Sequence, residues 1–251
     1  MGFSSVLTKM GQAKLRSKTV RDIYLNISHF FDHFIMLIFA KAAYDAGRYF
    51  DLTYDEIIVY GTLSFVFFGA FAPFASYLAD KFSRALLMVI YHFGLAVASI
   101  SAGISSSLFV LSASLAIIGI FASIYHPVGT AMLLAKNDKQ GLRLGINGVY
   151  GNMGVAAAPL VLGAILLFGD WRLCFIIPGI ICLIYGVIFS LVLEDKPLAK
   201  QTESVEVNRS FARNWEWALG SIALSTLAGG FIFGAMTFII PRYYEGHCSK
   251  N

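Results

Sequence analysis

The stretch SYLADKFSRALL, Ser76 to Leu87, decides how the rest of the chain is read. It carries Asp80, Lys81 and Arg84 between two apolar runs, Thr53 to Ala79 and Leu86 to Gly103. Each run is close to the roughly 20 residues that cross a hydrocarbon core at about 1.5 Å per residue. The pattern repeats outward at Ile23 to Ala43, Leu108 to Ala135, Leu142 to Phe168, Trp171 to Leu193 and Trp215 to Ile240. Seven such runs leave little chain for a soluble domain, and the fold class expected is an all-α polytopic membrane protein. Composition agrees: 57% of residues are hydrophobic and 14% charged, against about 25% charged in soluble domains.

The net charge of +4 does not point to nucleic acid, because its distribution follows the spans. Lys9, Lys14, Arg16, Lys18 and Arg21 precede the first run, and Lys81 and Arg84 stand in the second connection. Lys136, Lys139 and Arg143 stand in the fourth connection, and Lys196, Lys200, Arg209 and Arg213 in the sixth. Lys41, Arg48, Arg172, Arg242 and Lys250 fall on the other side. Lys and Arg collect on cytoplasmic loops, so the N-terminus is expected inside the cell and the C-terminus outside.

The domain reading follows. Residues 1–22 form a cytoplasmic tail without a signal-peptide core, and 23–193 form six spans. Residues 194–214, with EDKPLAKQTESVEVNRS, form a polar linker, 215–240 a seventh span, and 241–251 an outer tail. Thr53, Asp55 and Glu56 open the second span as a capping box. The uncharged GISSSLF joins the third and fourth spans in a close hairpin.

Four positions anticipate chemistry. His29, Asp32 and His33 in SHFFDH follow i, i+3, i+4 spacing and share one face of the first span. A carboxylate in mid-membrane is costly, and its ordinary setting is a wet cavity or a paired site. Counted inward along their spans, Asp32 and His126 both lie about 13 Å deep, so they are expected in one layer. A carboxyl beside imidazoles suits proton binding, since burial and mutual attraction act on its protonation in opposite senses.

Tyr125 and Asn152 are further candidates for the cavity, and Pro127 for a bend that bares a backbone carbonyl. His92 stands alone in its span and reads as a packed histidine. His29 and His33 give the only His-x-x-x-His, with no cysteine near, so neither a metal site nor a cofactor is expected. A retinal protein would need a lysine in the last span, which has none, and no Gly-x-Ser-x-Gly nucleophile motif stands out. The chain does not read as an enzyme.

These pieces resemble the major facilitator superfamily: six helices, a long cytoplasmic linker and the start of a second bundle. Leu78, Ala79, Asp80 and Arg84 match its loop motif Gly-x-Leu-Ala-Asp-x-x-Gly-Arg, with Ser76 and Ser83 in place of two glycines. In GINGVYGNMGVAAAPLVLG, residues Gly145, Gly154, Pro159 and Gly163 keep the intervals of its fifth-helix motif, with Ala158 and Leu162 replacing glycines. SHFFDH, IYHP at Ile124 to Pro127 and GVYGNMG are similar to the fosmidomycin-resistance branch of efflux carriers.

The resemblance implies an N-terminal six-helix bundle plus the first helix of a second, in a bacterial inner (plasma) membrane. It implies transport of a small organic molecule by alternating access, with proton-coupled efflux favoured and uptake symport as the alternative. Asp32, His29, His33 and His126 are then the proton-coupling candidates. Asp80 and Arg84 form a gating pair, and Gly145, Gly154, Pro159 and Gly163 serve helix packing and bending. Because a carrier of this kind has twelve spans, the chain reads as truncated after the seventh, or as a half that needs a partner supplying a C-terminal bundle.

Overall fold

A computed structural model of the chain describes residues 18–135 and 139–192 and part of 216–239. Every regular element among them is helical. The expected tail up to residue 17, the linker 194–214 and the tail 241–251 lie outside the described residues. Six helices are long and apolar enough to cross a membrane: Val20–Tyr49, Tyr54–Lys81, Arg84–Gly103, Leu108–Leu134, Gln140–Leu166 and Trp171–Val192. Taken by itself, the later part of the chain is helical at its described positions within 216–239, around the apolar stretch Ala223–Ile232.

The first span runs to Tyr49 rather than stopping at Ala43. Asp45 and Arg48 end the apolar run without ending the helix, because charge lowers hydropathy but does not break helical backbone; the two pair one turn apart at 3.1 Å. At about 1.5 Å per residue its outer turns stand clear of a hydrocarbon core roughly 30 Å thick. The helix closes with Asp51 in the left-handed region, φ 55°. There the Leu52 N–H donates to the Gly47 carbonyl at 2.9 Å, as in a Schellman end.

The second span opens on the capping box: the Glu56 N–H donates to Thr53 Oγ1, and the Thr53 N–H to Glu56 Oε2 at 2.8 Å. The third and fourth spans pack as the short turn requires, with Ser101 and Ser114 hydroxyls 2.9 Å apart. The fourth span is interrupted at Ser123 and Ile124, between the helical segments Leu108–Ala122 and Tyr125–Leu134. Pro127 has no N–H to offer the Ser123 carbonyl four residues earlier, which places the break one turn before it. Tyr125 and His126 therefore sit on a local bend.

The first span is the centre of the bundle, its apolar window 72% buried, against 17% for the second span and 22% for the fifth. Small residues let backbones meet. A Cβ on Gly154 would collide with the Phe30 carbonyl oxygen, and one on Gly119 with that of Ser64. Close backbone approach through glycine is a common way for membrane helices to associate.

Gly145 has open space around it, Gly163 has Lys41 at 4.0 Å as its nearest neighbour, and Pro159 lies exposed within an unbroken helix. Two glycines of this series, one packed and one open, make a test. Gly154→Leu is expected to destabilise the bundle by about 1–3 kcal/mol, the cost of overpacking. Gly145→Leu should leave it unchanged, as read by thermal unfolding in detergent.

Candidate functional site

The first span is held to its neighbours through its own carbonyls. Tyr185 of the sixth span donates to the Tyr24 carbonyl at 2.7 Å, Tyr125 to that of Leu25 at 2.9 Å, and Tyr91 of the third span to that of Ser28 at 2.8 Å. Three hydroxyls from three helices fix the rotation of the first span. Its face with His29, Asp32 and His33 is thereby turned to the fourth and fifth spans.

Asp32 is completely buried, and His126 Nε2 stands 3.5 Å from its Oδ2. That distance is within ion-pair range and beyond a good hydrogen bond. Neither carboxyl oxygen is at full hydrogen-bond distance from a described donor, and the Tyr91 hydroxyl that faces the group donates to the Ser28 carbonyl instead. A buried carboxyl left this way is costly, and a proton or a cation relieves it. The His126 side chain is 43% exposed, so the pair is closed behind and open in front.

The imidazoles are ordered by one backbone group. His29 Nδ1 lies 2.8 Å from the Asn147 carbonyl oxygen. A carbonyl only accepts, so the hydrogen is on Nδ1, and in neutral His29 the Nε2 lone pair is free to accept. His33 Nε2 stands 3.0 Å from it and donates. The His29 ring also stacks on Tyr125, with centroids 4.8 Å apart, and meets His126 edge-on at 5.2 Å. Phe68 of the second span packs on the far side of His126 at 5.7 Å.

Asn147 is the residue that sequence reasoning missed. Both hydrogens of its amide are used, to Asn26 Oδ1 at 2.9 Å and to the Tyr125 hydroxyl at 2.8 Å. Asn152 is exposed instead. The signal was in the spacing: Asn147, Gly151, Gly154, Ala158 and Leu162 make one buried stripe at helical intervals, and Gly151 and Gly154 lie against His29 and Phe30. Asn147→Ala should cost about 1–3 kcal/mol by leaving the buried Asn26 oxygen unpaired. Unfolding in mixed detergent would measure it, and an unchanged stability would contradict this network.

His92 is not alone. It is fully buried, its Nε2 3.0 Å from Ser28 Oγ, which itself donates to the Tyr24 carbonyl, so the imidazole is the donor. Cys182 Sγ lies 3.6 Å from the His92 carbonyl oxygen. This second polar layer fastens the third and sixth spans to the first. It gives His92 a structural place, since a buried imidazole needs partners.

At the other end, Asp80 is exposed and Arg84 is half-buried, and no ion pair joins them among the described residues. A stronger pair stands on the same side. Arg143 of the fifth span makes two parallel bonds to Asp22 of the first, Nε to Oδ2 and Nη2 to Oδ1, each 2.7 Å. Nothing in the spacing of Asp22 and Arg143 along the chain announces this contact.

The bundle has relatives. The family described as the Major Facilitator Superfamily matches residues 25–248. An uncharacterized MFS-type transporter, YqjV, from Bacillus subtilis (strain 168) is 26% identical over 186 residues, covering 70% of this chain and 44% of its own. The fold matches a bacterial homolog of the human lysosomal transporter Spinster, in an inward-facing and unoccupied conformation. There the TM-score is 0.65 at 17% identity, over 72% of this chain and 44% of that one. It also matches a peptide transporter, POT, solved in complex with sulfate, at TM-score 0.53 and 15% identity, over 86% of this chain and 46% of that one. The chain spans less than half the length of each of these proteins. The family match covers most of the sequence: the chain belongs to the Major Facilitator Superfamily and is an integral membrane protein.

Proposed function

With membership of that superfamily as the premise, we propose that this chain supplies the N-terminal bundle of a secondary transporter. It moves a small organic molecule across the plasma membrane by alternating access, exporting it in exchange for protons. The observation that carries the proposal is the Asp32 carboxyl, wholly buried in the central helix, without a donor and 3.5 Å from His126 on an open side. Intramembrane carboxyls of this kind mark ion pathways. Transporters of repeat architecture place coupling sites near the bilayer midplane, between parts that rock against each other.

In this reading Asp32 carries the coupling ion, and His126, at the bend of the fourth span, couples its loading to the shape of the cavity. His29 and His33, oriented through the Asn147 carbonyl, keep the wall polar. Rocking needs a second bundle, and the largely unburied second and fifth spans are the surfaces that would face it. Asp80 and Arg84 would gate its cytoplasmic edge. The bias of basic residues supports a cytoplasmic N-terminus, and export follows from the resemblance to the efflux branch.

The test uses a twelve-span form in which this sequence is the first bundle, placed in inverted membrane vesicles with an imposed pH gradient and offered a panel of fluorescent organic dyes. Antiport predicts gradient-driven accumulation of a dye in the vesicles. Movement in the opposite sense would instead mean uptake symport.

A further inference from the structure

His29 and His33 form only a pair in the sequence, and the fold adds a third imidazole to them. One ring nitrogen of each of His29, His33 and His126 lies within 4.8 Å of the other two. We propose that these three histidines bind a divalent transition-metal ion such as Zn2+ or Co2+, with the carboxylate of Asp32 beside them supplying negative charge.

Imidazole nitrogens are ligands of choice for such ions, and three of them with one open position is a recurrent set. Ligand nitrogens about 2.0–2.1 Å from a tetrahedral zinc stand roughly 3.3 Å from one another. His29 Nε2 and His33 Nε2 are already 3.0 Å apart, and the half-exposed His126 has room to turn toward them. The surroundings match what a bound ion requires. The His29 Nδ1–H is held by the Asn147 carbonyl, which leaves Nε2 for the metal and fixes the plane of the ring; metal-bound histidines are commonly tied in this way through the other nitrogen. Asp32 is the acid within reach: the Tyr91 hydroxyl that faces its carboxyl is spent on the Ser28 carbonyl, and no described group makes a full hydrogen bond to its oxygens. The exposed side of His126 gives an entry path.

The experiment titrates Co2+ into the purified, tag-free chain in detergent, following its visible absorption, and then displaces it with Zn2+. One equivalent of Co2+ with tetrahedral bands is expected. His33→Ala and His126→Ala should each weaken binding by about 10–100-fold or more, the scale on which even supporting groups act. His247→Ala, a histidine that the proposed site does not use, should leave binding unchanged. Size-exclusion profile and helicity show that each variant folds, and His33→Ala, at a half-buried side chain, decides the matter if His126→Ala does not. No tetrahedral bands in the wild-type chain, or bands that persist in the cluster variants or vanish with His247→Ala, would overturn the site. Binding is read without any transport, so its failure leaves the transport reading to stand or fall on the vesicle assay.

Discussion

Asp32→Asn abolishes pH-gradient-driven transport in a twelve-span form carrying this bundle, down to the level of protein-free vesicles, while exchange of substrate for substrate persists. The expectation rests on shape and charge. Asparagine fills the same buried volume, and its amide can donate to His126 across the 3.5 Å gap, so the bundle keeps its packing. It cannot pick up or give away a proton in the working range. Asp32→Glu keeps the carboxyl, is one methylene longer, and should retain part of the coupled flux. Gradient-driven transport at the wild-type rate in the Asn variant would remove Asp32 from the coupling step. Loss of both modes together would make it a folding or substrate-binding residue instead.

Arg143→Ala has the largest expected effect on stability, about 3 kcal/mol. The pair with Asp22 is bidentate at 2.7 Å, with the two side chains only 12% and 20% exposed. Removing one partner of a fully buried pair strands the other, at a cost of about 3–5 kcal/mol; here the residual exposure, and Arg21 remaining 3.7 Å from the Asp22 carboxylate, set the lower figure. Replacing both partners by neutral residues removes the stranded charge, so Asp22→Asn combined with Arg143→Met should regain most of the loss. Unfolding of the single and double variants in mixed detergent measures both values. Equal stability of Arg143→Ala and wild type would show that the pair contributes nothing.

Much of this architecture is legible in the sequence because the bilayer imposes a length. Six of the apolar runs coincide with helices; the first falls short at Tyr44 to Tyr49, where Asp45 and Arg48 end the hydropathy signal although the helix continues. The depth of Asp32 and His126 could be counted from rise per residue alone. Their approach could not, since it depends on the rotation set by Tyr91, Tyr125 and Tyr185 bonding to first-span carbonyls.

The fifth span shows the same limit. A search for polar residues near the motif glycines favours Asn152, yet the stripe of Asn147, Gly151 and Gly154 is the one that meets the first span. The motif positions Gly145 and Gly163 lie off that stripe, which is why they lack close neighbours. His92 looked solitary because its partners, Ser28 and Cys182, belong to other spans.

The central claim is that Asp32 exchanges a proton inside the bundle. The most direct measurement is the pH-step infrared difference spectrum of the purified chain, in chelator-treated, metal-free buffer, for wild type and Asp32→Asn. The account predicts a carboxyl C=O band that grows and fades with pH in the wild type and is absent from the variant. Superimposable spectra would contradict it.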